Sequence, residues 1–312
     1  MKGLELAESY YNEFGKKMLE EFPGIKDKLA VGLIGSGSEC FGFDDDVSTD
    51  HDFEAGFMIF LPGEDVVSRR DAFLLERAYY KLPKEYMGFT RGVLSPVGGN
   101  RKGVISTADF FAEKTGSPDG NLTAREWLSL PESYLAEATN GKIFCDNYGE
   151  VSAIRKRLAY YPEDVRLKKL AGNIITAAQS GQYNYHRCYK HGEQSAAQLA
   201  VFEFVKSATA IKFLLEKRYM PFYKWSFKAL RTLPDGEELE KSLNFLTTTP
   251  NDEIFYKKKS EIIENISAKL IEEIKKQNLS DSLSGNLEDH AYKVNGKIFD
   301  GNIRNMNIFA GV

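Results

Sequence analysis

Cysteine is scarce. Cys40, Cys145 and Cys188 are the only three, an odd number at wide spacings, so no disulfide framework follows and a reducing cytoplasm is the expected location. Read as a metal dyad, His51-Asp52 would need additional upstream and downstream His and Asp ligands on helices, whereas His51 opens a strand and the chain has four histidines in all. His186, Cys188 and His191 lie close together, but no second Cys/His pair follows to mark a zinc site. An excess of either charge is also missing. The 41 Lys and Arg against 45 Asp and Glu give a net charge of −4, which argues against a broad DNA-binding surface. Long apolar runs are absent too: the most apolar stretch, 195–215, is interrupted by Glu203, Lys206 and Lys212. It reads as a buried helix, with no membrane span and no membrane partner expected. Lys2 leads into an amphipathic segment instead of an apolar core, so no signal peptide is expected.

What is present is ordinary for a folded chain: 42% hydrophobic and 28% charged residues over 312 positions, enough for two domains with their own cores. Leu6, Tyr10, Phe14, Met18 and Phe22 recur at helical spacing until Pro23-Gly24 stops them. Residues 63–82 predict a helix with Val66, Phe73, Leu74 and Ala78 inward, ended by Pro83. A strand is expected at 104–106, a short helix at 108–114, and a short strand at 142–145. Up to about residue 150 strands and helices alternate. Beyond it long helical periods take over, at 150–160, 163–181, 193–217 and 251–276. The last of these is an isoleucine and leucine stripe from Ile262 to Ile274 with lysines and glutamates opposite it. The expected class is α+β: a mixed sheet with flanking helices over 1–150, a helical bundle over 151–285, and an irregular C-terminal extension over 286–312 that follows a polar linker at 278–286.

The chemistry is concentrated in residues 31–61. An apolar run (Val31, Leu33, Ile34) enters Gly35-Ser36-Gly37-Ser38, crosses an acidic loop, and returns as Asp50-His51-Asp52 ahead of a second apolar run from Phe57 to Leu61. Glycines let backbone N–H groups approach phosphate oxygens closely. Two aspartates two apart on an extended chain share a face, a geometry suited to a hard divalent cation, with His51 on the opposite face.

The order of strand, Gly37-Ser38, Gly42 and Asp50-x-Asp52 resembles the signature of the DNA polymerase beta-type nucleotidyltransferases. Further segments, among them REWLSLPE, ATNGKIFCDNYGE, RLAYYPEDVRLKKLA, SGQYNYHRCYKHGE and KRYMPFYKW, resemble a bacterial family named only as a domain of unknown function and placed among the nucleotidyltransferases by fold. The resemblance implies that Gly37 and Ser38 hold a nucleoside triphosphate and that Asp50 and Asp52 bind Mg²⁺ and carry catalysis. It also implies a third carboxylate on a later strand. Residues 102–107 hold no acid, and the nearest candidate is Asp109.

Two later stretches add nucleotide-binding candidates. Tyr185 and Arg187 lie in the polar-aromatic segment 183–193, and Lys217 and Lys224 in the segment 217–225. Aromatics with cations suit a base and phosphates, while a helix-connecting loop and a capped helix end are the structural readings of the same residues. Two functions follow. One is Mg²⁺-dependent transfer of a nucleoside monophosphate from an NTP to a hydroxyl of a small molecule, protein or RNA. The other is a catalytically impaired module of the same fold that binds nucleotide or a partner.

Overall fold

A computed structural model describes residues 1–45, 54–90 and 102–312. The chain divides into two compact units: Met1–Leu122 with Ser133–Ala159, and Thr123–Glu132 with Tyr160–Val312.

The first unit opens with a helical run made of α1 (Gly3–Tyr10), a π turn (Tyr11–Gly15) and α2 (Lys16–Glu20). Leu6, Tyr10 and Met18 are buried, with Phe14 and Phe22 packed beside them. The start of α1 is tied down by Asp44, whose buried carboxylate accepts the Gly3 N–H at 2.8 Å and pairs with Lys2 at 3.5 Å. There follow β1 (Ala30–Leu33), β2 (Met58–Leu61), α3 (Arg69–Tyr80) and the short hairpin of β3 (Glu85–Tyr86) and β4 (Phe89–Thr90). After these come β5 (Gly103–Ser106) and α4 (Thr107–Thr115); the chain then visits the second unit as α5 (Ala124–Ser129). It returns through α6 (Glu132–Thr139), β6 (Lys142–Asp146) and α7 (Glu150–Arg157).

Strands pair in the order β5-β2-β1-β6, β1 antiparallel to both neighbours and β5 parallel to β2. Val31 and Ile59 pack with Leu6 and Tyr10 on one face, while Phe60 meets Phe110 of α4 edge-on at 5.5 Å. Alternation along the strands thus serves two helical layers. The register brings the end of β1 level with the beginnings of β2, β5 and β6, since Gly32 faces Met58, Met58 faces Gly103, and Leu33 faces Lys142.

The expected inward face of α3 is corrected. Phe73 and Leu74 are exposed, and Leu75 and Tyr79 are buried in their place. Helix rotation is set by the Tyr79 hydroxyl, which donates to the Phe57 carbonyl at 2.8 Å and accepts the Phe57 N–H at 3.2 Å.

In the second unit α8 (Glu163–Ala177) runs through a π turn (Ala178–Asn184) into α9 (Tyr185–Lys190), and α10 (Gln194–Leu215) returns beside it. The pairing is antiparallel: Arg166 donates to the Leu214 carbonyl at 3.2 Å, and Gly181 is pressed against the Phe204 ring, where any Cβ would collide. Then come α11 (Tyr223–Leu230), α12 (Gly236–Thr248), α13 (Glu253–Lys276), α14 (Leu287–Gly296) and α15 (Gly301–Arg304). The stripe on α13 is buried at Ile263, Ile266, Leu270, Ile271 and Ile274. Lys212, which interrupts the apolar run of α10, is buried between Glu216 and Glu273 at 2.8 and 2.9 Å.

Two stretches differ from their sequence reading. Residues 183–190 are helical, because the π turn carries the period of α8 onward. The extension after the polar linker, expected to be irregular, forms α14 and α15, which pack on α8. Fully buried Lys168 donates to Asn295 Oδ1 and to the Arg304 and Met306 carbonyls, and buried His290 bonds Ser280 and the Ser284 carbonyl. These polar residues look solvent-facing in a sequence and are interior anchors. Among the described residues no helix is long and apolar enough to cross a membrane.

Candidate functional site

β1 ends at Leu33 and delivers the chain into the Gly/Ser turn. Gly35 adopts φ +118°, a backbone conformation open to glycine. Its N–H donates to Asn140 Oδ1 at 2.9 Å, and Asn140 Nδ2 donates back to the Gly35 carbonyl at 2.7 Å. Asn140 sits just after α6. The Arg155 guanidinium, half-buried on α7, donates to the Asn140 carbonyl and to the Thr139 carbonyl at 2.8 Å each. A helix end has unpaired carbonyls, and here one arginine takes them up. Gly141, at φ +62°, completes the clamp: its N–H donates to the Cys40 carbonyl at 2.8 Å, and the Leu33 carbonyl lies where its Cβ would be.

Beyond Gly35 the turn tightens into a short 3-10 helix, Glu39–Phe41. The Cys40 N–H donates to the Gly37 carbonyl, and both Phe41 and Phe43 N–H groups to the Ser38 carbonyl. Ser38 is half-buried and its side chain makes no cap on this turn. Gly37 has a distinct role. The Glu39 carboxyl group folds back over it so closely that any side chain at position 37 would overlap it. A carboxylate therefore lies against the backbone that the motif would offer to phosphate.

The chain leaves this turn toward Asp45 and resumes at Glu54, ahead of β2. Asp50, His51 and Asp52 lie outside the described residues. Asp109 is described: it is exposed, in the first turn of α4, and its N–H donates to Ser106 Oγ, the helix cap, at 3.2 Å. Ser106 faces Leu61 at the far end of the sheet from the Gly/Ser turn. The Phe110 ring, next in the chain, lies 4.0 Å from where a Cβ on Gly35 would sit, while Asp109 itself occupies the first turn of α4, where a negative charge favours the helix start. Among the described residues no three carboxylate, histidine or cysteine side chains are grouped to hold a metal.

The other candidates belong to the second unit, and they do not converge. Tyr185 is buried; its hydroxyl donates to Asn251 Oδ1 at 3.3 Å, and burial first, then neighbouring Tyr256 and Tyr189, raise its phenol above the ordinary value. It serves packing. Arg187 is exposed and lies over the Tyr183 ring at 5.0 Å, bonding its hydroxyl at 2.8 Å. Lys217 pairs with Glu163 at 3.7 Å. Glu163 begins the helical run in which Arg187 is nearly last, so Lys217 and Arg187 are roughly 36 Å apart at about 1.5 Å per residue. One nucleotide cannot bridge them. Lys224 is exposed beside Trp225, 5.1 Å from the ring centre.

Asn140, Arg155 and Glu39 were not singled out by sequence. The Asn140-Gly141 dipeptide is a turn signal that could have marked the clamp, whereas nothing local marks Arg155.

The family model described as Domain of unknown function (DUF4037) matches residues 127–226. That span includes Asn140, Arg155, Tyr185, Arg187, Lys217 and Lys224, and excludes Gly37, Ser38, Asp50, Asp52 and Asp109. No curated protein and no solved structure matches the chain.

Proposed function

We propose that the first unit is a Mg²⁺-dependent nucleotidyltransferase module, which takes an NTP at the Gly37-Ser38 turn and moves its nucleoside monophosphate to a hydroxyl acceptor. The observation that carries this reading is the clamped turn at the end of β1, level with the beginning of β2. Asp50 and Asp52 precede β2 by a few residues, and their two carboxylates are the donor type that Mg²⁺ prefers. Bound there, the metal would neutralise phosphate charge. The protein's own part is to hold the triphosphate on turn N–H groups and fix the nucleoside for in-line attack.

A second reading, a module that binds nucleotide without transfer, is favoured by two observations. The strand beside β2 carries no acid, and the Glu39 carboxyl group covers Gly37. The deciding experiment is pyrophosphate release from each NTP with Mg²⁺ over a panel of hydroxyl acceptors. Release lost in Asp52→Asn supports transfer; binding of Mg²⁺ and NTP without release supports the module.

A further inference from the structure

Residues 217–231 hold five cations, Lys217, Arg218, Lys224, Lys228 and Arg231, interleaved with five aromatics and no acid, in a chain whose net charge is −4. The second unit sorts this segment by face. α11 buries Ser226, Ala229 and Leu230, so positions 224, 228 and 231, four and three apart, run along its opposite side as a cationic ridge. Lys224 and Lys228 are about 6 Å apart along the axis at a rise of about 1.5 Å per residue. Both ammonium groups lie over one indole, 5.1 and 5.8 Å from the centre of the Trp225 ring. Arg231 pairs with Glu240 at 3.5 Å and Lys217 with Glu163 at 3.7 Å, while Arg218 donates to Thr232 Oγ1 at 3.3 Å. These are contacts at the surface, where an ion pair is weak and yields to a polyanion.

Two aromatic rings stand at the start of the ridge. Phe222 is 47% exposed and Tyr223 77%, with ring centres 4.4 Å apart. Their backbone is already fixed: buried Pro221 precedes them, the Trp225 N–H donates to the Phe222 carbonyl, and the Ser226 hydroxyl donates to the Tyr223 carbonyl, both at 2.8 Å. Little ordering is left for a ligand to impose.

The exposed groups select among polyanions. A lipid surface is entered by an apolar helix face, and here Ala229 and Leu230 are turned inward on a helix of eight residues. A nucleic-acid duplex keeps its bases stacked inside, away from flat rings at a protein surface. Unpaired bases offer their faces, which stack on aromatics whatever the sequence. We propose that this face binds single-stranded nucleic acid, with bases stacking on Phe222 and Tyr223 and the phosphates following Lys224, Lys228 and Arg231. The surface belongs to the second unit and is independent of nucleotidyl transfer in the first.

The test uses the full chain without Mg²⁺, so that metal-dependent nucleotide binding in the first unit does not contribute. Fluorescein-labelled decauridylate and decathymidylate are titrated by anisotropy at a series of salt concentrations. Saturable binding of at least one is expected, with log affinity falling against log salt at a slope of about −2 for three neutralised phosphates. Tyr223→Ala should weaken binding about tenfold or more and leave that slope unchanged. Tyr223→Phe, which keeps the ring, should bind as wild type does. Lys224→Gln combined with Lys228→Gln should reduce the slope to about −0.7. A mixed-sequence duplex should bind about tenfold more weakly than the decamers. Absence of saturable binding to both decamers overturns the proposal, as does undiminished binding in Tyr223→Ala or equal binding of the duplex. Binding to phosphatidylserine vesicles in place of the decamers would overturn it too, and would assign the face to a membrane.

Discussion

Gly35 and Asn140, far apart in the chain, exchange two hydrogen bonds of 2.9 and 2.7 Å, and through them the Gly/Ser turn is fixed to the end of α6. Arg155 holds the same helix end from the other side. A turn that must present backbone N–H groups to an anion gains from being held before the ligand arrives, because less ordering is left to do on binding.

Replacing Asn140 with Ala removes both bonds and leaves the buried Gly35 N–H and carbonyl without partners. Urea unfolding of the full chain should show a loss of about 1–3 kcal/mol, and amide exchange at Gly35 should quicken. A stability within about 0.5 kcal/mol of wild type, with Gly35 still protected, would mean that the clamp carries no load.

Glu39 gives the second prediction. A triphosphate seated on the Gly37 backbone meets a carboxylate already folded there, so binding must displace a like charge. Glu39→Gln should tighten Mg²⁺–NTP binding about tenfold, the worth of one modest charge interaction. Gly37→Ala should leave the fold intact, since the atoms in its way end a flexible side chain. Fluorescence titration with a labelled nucleotide measures both; weaker binding in Glu39→Gln would remove the phosphate from this turn.

The sequence made the alternating first half and the helical second half legible, because β1 and β2 are buried along almost their whole length and read as short apolar runs, while one-sided burial leaves a helical stripe on α13. It misplaced the inward face of α3 because Phe73 and Leu74 are as apolar as Leu75. What decides the rotation is the Tyr79 hydroxyl meeting the Phe57 backbone, a contact with no periodic trace. The final helices escaped for a related reason. Lys168, Lys259 and His290 read as surface residues, and only the folded chain supplies the carbonyls and amides that allow them inside. At the candidate site the motif identified the turn, while its support came from Asn140 and Arg155, more than a hundred positions downstream.

Glu132 supplies a pH-dependent prediction. Burial lifts its carboxyl from 4.5 to about 7, against the opposing pull of Lys169, and the Tyr161 hydroxyl donates to it at 3.4 Å. The folded-state value is raised, so the folded protein holds the extra proton between the two values. The stabilisation from that proton is complete below about 4.5 and lost as the pH rises through about 7. Glu132→Gln should abolish this slope and be more stable than wild type at pH 8, on the order of 2 kcal/mol. Urea unfolding of both proteins at pH 5 and pH 8 measures the difference. Equal differences at the two pH values would show that Glu132 is ionised throughout.

The last prediction separates the two aspartates near β2 from the one on α4. Asp109 follows Ser106, which faces Leu61 at the sheet end away from the Gly/Ser turn, and its N–H donates to the Ser106 hydroxyl that caps α4. Asp109→Asn should therefore leave Mg²⁺-dependent nucleotide binding unchanged, at a stability cost of about 0.3–1 kcal/mol from the lost charge at the helix start. Asp50→Asn and Asp52→Asn should each abolish that binding, because a neutral amide no longer offsets the water stripped from the cation. Calorimetric titration of Mg²⁺ and NTP into the three variants distinguishes the cases. Loss in Asp109→Asn equal to that in Asp52→Asn would require α4 to turn its first residues toward the motif loop. Binding that survives in Asp50→Asn without Mg²⁺ would remove the metal from the proposal.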